Sequence, residues 1–366
     1  MNIFLCNRLD NMSGWGTLSL NYITKFESSS SIIFCSKYNK KLKIKQYLIL
    51  KDPISYLKNP FLFFLDSLKA IKILNILCRE YKDLNVHILV EPYIFFLLFI
   101  KNFFKKKIFY SQGTYSNYFC KSFKWKFLFK FLISRIDIII FVSSYIKNKF
   151  KENVSIKKIN NIILNPYIVT KTSNIFNNNN HNNRLRILSV GAIKERKGYF
   201  QLIKIISNLI KKYKTKVNLT IVGNINDKSY YEIMTKFVNN NKLNKFIKIK
   251  INVSKLELTK IYRNSDLFML LSKDYKYNLE GFGIVYLEAL SQGCEIIISK
   301  DSGAKDLRKF SRKINLYNPK NLNNISTLIL GYYKSRLIDR KSNISLFNKI
   351  NFKNEMKLEA FSKKFN

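Results

Sequence analysis

Short apolar runs alternate along this chain with longer stretches whose apolar positions recur at helical spacing. Asn2–Asn7 (NIFLCN), Ser31–Ser36, Val86–Glu91, Lys107–Ser111 and Asp137–Val142 have strand length, and Leu18–Phe26 and Phe61–Glu80 read as helices. The pattern restarts at Leu185–Val190 (LRILSV). It runs on through Val217–Gly223 (VNLTIVG), Leu243–Ile251, Asp266–Ser272 (DLFMLLS) and Glu295–Ser299 (EIIIS), with a helix over Tyr199–Tyr213. Strands that are apolar throughout, with amphipathic helices between them, predict α/β units built on parallel sheets. Lys171–Arg184 (KTSNIFNNNNHNNR) interrupts the pattern with an asparagine-rich tract of no periodicity, which reads as a linker. The expected organisation is an N-terminal domain over 1–170, a linker over 171–184, a C-terminal domain over 185–340 and a basic end over 341–366. A length of 366 residues suits two domains.

The stretch with the densest chemistry is Glu280–Gly293 (EGFGIVYLEALSQG), between two of the predicted strands. Gly281 and Gly283 fall where the loop becomes a helix, so the backbone there can approach a ligand closely. The unbonded N–H groups of the helix's first turn favour an anion, most often a phosphate. Glu280 and Glu288 frame the turn, and an ionised carboxylate accepts hydrogen bonds from sugar or ribose hydroxyls. Diphosphate on amides and hydroxyls on carboxylates describe a nucleotide-sugar site. A second glycine-bearing turn, Ser13–Thr17 (SGWGT), follows the first strand and is also suited to phosphate. Its Trp15 either stacks on a sugar or packs in the core.

The spacing E-x7-E inside E-G-F-G-x-x-x-L-E-A-L-x-x-G resembles the signature of the retaining glycosyltransferases of family 4 (glycosyl transferases group 1). The resemblance implies the GT-B fold: two Rossmann-like α/β domains facing each other across a cleft. It implies that the 341–366 end holds a helix returning to the first domain. Gly14 and Gly16 would approach the donor diphosphate and the acceptor. Gln112 stands where the family often places a histidine near the reacting sugar; it can donate and accept hydrogen bonds but cannot act as a base. Asn161–Tyr167 resembles the strand closing the first domain, and Leu256–Asp266 (LELTKIYRNSD) a family helix. In Gly191–Gly198 (GAIKERKG), Lys197 matches the cation that neutralises the diphosphate. The family's arginine position is Ala192, so Arg196 is the candidate replacement, with Lys194 behind it. Gly191 and Gly223 would border the nucleotide, Glu288 would hold its ribose, and Gly281, Phe282, Gly283, Ile284 and Val285 would line the diphosphate turn. Glu280 would orient the donor sugar and support developing positive charge, without forming a covalent bond. The catalytic set is thus Glu280, Lys197 and Gln112. In the family, attack from the front face, with the leaving phosphate taking the acceptor proton, gives retention.

Charge adds a second line of reasoning. Lys and Arg number 65 against 23 Asp and Glu, a formal net charge of +42 spread along the whole chain. Such a surface attracts polyanions: nucleic acid, anionic lipid or phosphorylated substrates. Its even spread does not mark a nucleic-acid module, although a basic polyanion-binding protein that keeps the fold without activity is the rival reading. The enzyme reading expects no nucleic acid. The longest nearly uncharged apolar run, Pro92–Ile100 (PYIFFLLFI), is too short to span a bilayer, which needs ~20 residues. It reads as a core helix or as a surface that touches a membrane. No leader segment is read at the start, so a cytoplasmic chain, peripheral on the inner face of the membrane, is expected. Five widely spaced cysteines suggest free thiols, and two histidines (His87 and His181) leave little for a His-based metal site or triad. His87 is read as structural. No DxD segment follows a strand to hold Mg²⁺, so neither metal nor cofactor is expected. The expected function is transfer from a nucleotide sugar, UDP-linked rather than GDP-linked, to a saccharide or lipid-linked acceptor in bacterial cell-surface polysaccharide synthesis.

Overall fold

The computed structural model describes residues 1–9, 14–26, 31–172, 184–319, 321, 323–335 and 338–365. Ser13 and most of the predicted linker, 173–183, lie outside the described residues. The chain forms two compact units. One comprises Met1–Tyr167, Lys276–Phe282 and Lys353–Asn366; the other comprises Ile168–Tyr275 and Gly283–Phe352.

The first unit is built on a seven-stranded sheet. Its strands are β1 (Asn2–Leu5), β2 (Ser31–Cys35), β3 (Lys45–Leu48), β4 (Asn85–Ile88), β5 (Lys106–Ser111), β6 (Ile138–Phe141) and β7 (Asn160–Ile163). They lie in the order β3-β2-β1-β4-β5-β6-β7, every pair parallel. β1 and β2 are buried along their whole length, which is why they read as unbroken apolar runs. β3 (KQYL) is partly or fully exposed at every position and sits at the sheet edge, so no apolar run announced it. The helix Phe61–Glu80 has the bounds its periodicity predicted.

Two expectations need correction here. Gly14 and Gly16 are not in a loop: a helix already starts at Gly14 and runs to Ile23. Burial of Ser19, Tyr22 and Ile23 on its inner face outweighs the ~1 kcal/mol that each glycine costs a helix. The reading of Pro92–Ile100 as a surface applies to little of the run, of which only Leu98 and Phe99 are exposed. The run forms a 3₁₀ turn (Glu91–Phe96) and one helical turn (Leu97–Ile100), with Pro92 to Leu97 and Ile100 all buried. Among the described residues no helix is long and apolar enough to cross a membrane.

The second unit carries a six-stranded sheet of β8 (Leu185–Val190), β9 (Val217–Val222), β10 (Ile247–Lys250), β11 (Leu267–Met269), β12 (Glu295–Ser299) and β13 (Asn315–Tyr317). The order is β10-β9-β8-β11-β12-β13, again wholly parallel. Helix Tyr199–Tyr213 turns Leu202, Ile203, Ile205, Ile206 and Leu209 inward and Lys204, Lys211 and Lys212 outward. Asp227 caps the next helix, Lys228–Asn240, accepting from the Tyr230 amide at 2.9 Å. A long helix, Arg340–Ser362, ends the chain, and its residues from Lys353 onward group with the first unit. There Asn354 donates to the Pro166 carbonyl at 2.8 Å.

Candidate active site

In a doubly wound sheet, ligands gather at the carboxyl ends of the strands where the strand order reverses. In the second unit that point lies between β8 and β11, and the loop Gly191–Gly198 leaves β8 there. Gly198 has φ +71°, and a Cβ on it would stand 2.2 Å from the Leu271 carbonyl oxygen, just past β11. Only glycine suits both the left-handed conformation and the approach. A Cβ on Gly223, at the end of β9, would lie 1.9 Å from the Gly191 carbonyl oxygen, so the ends of β8 and β9 are pressed together. The Tyr199 hydroxyl donates to that same carbonyl at 2.7 Å. Lys197 is buried, and its ammonium would be 3.7 Å from a Cβ on Gly191. The fold therefore brings Gly191, Lys197, Gly198 and Gly223 into one cluster: closely packed glycine backbone with a cation beside it. Arg196 is half-buried, and its carbonyl accepts from the Lys273 amide at 2.9 Å, which ties the loop to the segment after β11.

The Glu280–Gly293 stretch is divided between the units after Phe282. On the second unit's side, Gly283 has φ +74° and the helix is Val285–Ser291, with Ile284 before it. Glu288 on this helix accepts from the Tyr262 hydroxyl at 2.9 Å. Burial raises its carboxyl above the ordinary range, opposed by that hydrogen bond and by the charge of Lys255.

On the first unit's side, Lys276–Phe282 is held by hydrogen bonds and close packing. The Asn117 amide donates to the Tyr277 carbonyl at 3.0 Å, and the Ser143 hydroxyl donates to the Gly281 carbonyl at 2.7 Å. A Cβ on Gly281 would stand 2.5 Å from the Gln112 carbonyl oxygen. Gly281 is thus required by close approach, and Gly283 by its backbone angle. Glu280 and Phe282 are buried. Gln112 donates from its side chain to the Leu89 carbonyl at 3.0 Å, over the end of β4 and next to the first sheet's own reversal. Trp15 packs on Tyr115, ring centroids 5.2 Å apart. A Cβ on Gly14 would meet nothing within 4 Å.

Sequence reading missed Glu91. Fully buried, its Oε1 accepts from the amides of Gln112 (3.0 Å) and Gly113 (2.8 Å) and from the Ser116 hydroxyl (2.6 Å). Its Oε2 accepts from the Tyr115 amide at 3.0 Å. One carboxyl group thus fixes the turn that carries Gln112 and begins helix Thr114–Lys121. Burial pushes its pKa up, while these donors pull it down. The signal was an acidic residue directly before an unbroken apolar run, where an unpaired charge could not be buried. His87 is a core residue. Its Nδ1 lies 2.9 Å from the Tyr22 hydroxyl and its Nε2 3.2 Å from Asn2 Oδ1, and burial lowers its pKa to about 3.

Residues 170–345 match the profile of Glycosyl transferases group 1. No curated protein matches in sequence. Several solved structures are similar in fold. Alr3699/HepE from Anabaena, in complex with UDP, superposes with a TM-score of 0.75 at 13% identity, covering 100% of this chain and 99% of that one. Trehalose-6-phosphate from E. coli, bound with UDP-2-fluoro glucose, gives 0.70 at 12%, covering 100% and 97%. Sucrose-phosphate synthase from Thermosynechococcus elongatus gives 0.70 at 14%, again covering 100% and 97%. The chain thus has the GT-B fold of these structures, and its residues 170–345 match the glycosyl transferases group 1 profile.

Proposed function

We propose that this chain is a retaining glycosyltransferase of the family 4 type. It moves a sugar from a UDP-sugar, in preference to a GDP-sugar, to a saccharide or lipid-linked acceptor in bacterial cell-surface polysaccharide synthesis. The observation that carries the reading is the cluster at the ends of β8 and β9, where the closely packed Gly191 and Gly223 lie beside the buried Lys197 ammonium. A cation held at such a turn favours developing negative charge, and a diphosphate gains that charge as its bond to the sugar breaks. Arg196, on the same loop, adds positive charge in place of the arginine absent at Ala192. Glu288 accepts from the ribose hydroxyls, and Gly281, Phe282, Gly283, Ile284 and Val285 shape the turn beside the phosphates. Glu280 orients the sugar and stabilises the oxocarbenium-like transition state, with Gln112 hydrogen-bonding the reacting sugar. Gly14 and Gly16 open the first turn of their helix to donor and acceptor. The preference for uridine follows the UDP present in the similar structures. A lipid-linked acceptor would place the reaction on the inner face of the cell membrane.

The test is incubation with a panel of radiolabelled UDP- and GDP-sugars, scoring hydrolysis and transfer and the anomeric configuration of the product. Turnover of a UDP-sugar with retained configuration is expected. Inversion would remove the family 4 mechanism. Tight nucleic-acid binding with no turnover of any donor would favour the inactive polyanion-binding reading.

A further inference from the structure

Away from the site, the first unit displays aromatic rings to solvent. Phe123, Phe127 and Phe131 are 94%, 76% and 46% exposed. Helix Lys126–Ile133 buries Phe129, Leu132 and Ile133, so the four-residue spacing leaves Phe127 and Phe131 along its outer ridge, and Phe123 stands in the turn that leads into it. Lys124, Lys126 and Arg135 are exposed beside them, and the Arg135 guanidinium lies 4.7 Å from the centre of the Phe131 ring. The sequence contains no Asp or Glu between Glu91 and Asp137. A second exposed group belongs to the same unit: Phe61 and Phe64 on helix Phe61–Glu80, with Phe99 touching Phe64 at 5.6 Å between centroids. The buried turn Glu91–Phe96 links the two groups from below, because Phe95 packs on both Trp125 (4.8 Å) and Phe63 (5.6 Å).

Three occupants could cover such a face. A second copy of the chain, placed by a two-fold axis, would set Lys124, Lys126 and Arg135 against their own counterparts with no acid nearby. Single-stranded nucleic acid stacks its bases on aromatic side chains within a basic groove, whereas these rings stand on a convex helix. An anionic lipid surface meets both features: rings enter the boundary between headgroups and acyl chains while the cations pair with lipid phosphates.

We propose that the ridge Phe123–Phe127–Phe131, with Lys124, Lys126 and Arg135, docks the first unit on an anionic membrane surface. The assignment centres the membrane contact on the helix packed over the mostly buried Pro92–Ile100 run. It deepens the reading of a lipid-linked acceptor, yet its test needs no donor, so either idea can fail without the other.

The full chain is co-sedimented with vesicles of phosphatidylglycerol and phosphatidylcholine, and with phosphatidylcholine alone. With a net charge of +42, anionic binding alone would not locate the contact. The combined Phe123→Ser, Phe127→Ser, Phe131→Ser variant should therefore bind the anionic vesicles at least tenfold more weakly, with an unchanged circular-dichroism spectrum and urea midpoint as the check on folding. The milder Phe127→Trp variant should show a blue-shifted emission, quenched by brominated lipid, only with anionic vesicles. Undiminished binding by the serine variant, or vesicle binding without any shift at position 127, would overturn the proposal. So would self-association that the serine substitutions abolish, or an RNA oligomer that shifts the emission of the Phe127→Trp variant when vesicles do not.

Discussion

Each unit contains a strand that passes through a glycine into a helix, and the two turns are finished in opposite ways. In the first, β5 leads through Gly113 into helix Thr114–Lys121, and the chain's own Glu91 carboxyl takes up the amides of Gln112, Gly113 and Tyr115. In the second, β8 leads through Gly191 and Gly198 into helix Tyr199–Tyr213, whose first turn carries no acidic residue; the neutral Tyr230 hydroxyl accepts from the Phe200 amide at 2.8 Å, and the turn holds the Lys197 cation. The start of a helix favours negative charge. Where the chain supplies that charge, the turn is a rigid support. Where it supplies a cation instead, the turn is suited to the negative charge of a ligand.

The largest effect should come from the residue held on the rigid support. Glu280→Gln is expected to lower kcat by about 10²–10³-fold with a smaller rise in donor KM, as for loss of one preorganised electrostatic contact in a transition state. Steady-state kinetics on the labelled donor measures this. Full activity would remove Glu280 from the mechanism, and the rigid turn would then support nothing chemical.

The contrast itself predicts that Lys197→Ala acts on turnover and Glu91→Gln on stability. Lys197→Ala should cost roughly 10- to 100-fold in kcat/KM, the range of one charged hydrogen bond, with little change in the denaturant midpoint. If that variant unfolds early and keeps its kinetics, the ligand role of the second turn fails. Glu91→Gln places an amide N–H₂ where backbone donors converge. It should lower unfolding stability by about 1–3 kcal/mol, read by urea titration, while UDP affinity is unchanged. A neutral outcome there would mean that the first turn is held by packing alone.

The smallest expected effect concerns Glu288. Glu288→Gln should weaken UDP binding by about 1 kcal/mol, roughly fivefold in Kd by calorimetry. Only the ionised carboxylate accepts from both ribose hydroxyls, and burial raises the Glu288 pKa. Affinity in the wild type should therefore fall as the pH is lowered into the mildly acidic range, and Glu288→Gln should lose that dependence. Identical pH profiles would detach the ribose from this residue.

Much of the scaffold was legible because burial on both faces leaves a plain mark. β8 and the helices Phe61–Glu80 and Tyr199–Tyr213 have the bounds that their apolar patterns predicted. The glycines and carboxylates of Glu280–Gly293, and Lys197 in its basic loop, could be singled out as candidates from residue type and spacing. The edge strand β3 was not legible, because its four residues are all partly or fully exposed and hydrogen bonds to β2 alone define it.

The sequence by itself determined two runs of parallel α/β structure and a short inventory of groups able to meet a nucleotide sugar. Tertiary structure decided what those groups touch. It drew Gly14 and Gly16 into a helix, because packing of the residues behind them outweighs glycine's preference for loops. It buried Pro92–Leu97 and exposed Phe123, Phe127 and Phe131, although both stretches are strongly apolar. It set Gly281 against the carbonyl of Gln112, a residue far away in the chain, and gave Glu91 to the turn that carries Gln112. Periodicity along a chain records which side of an element faces the core. Which other element lies there is fixed only when the strands take their order in the sheet.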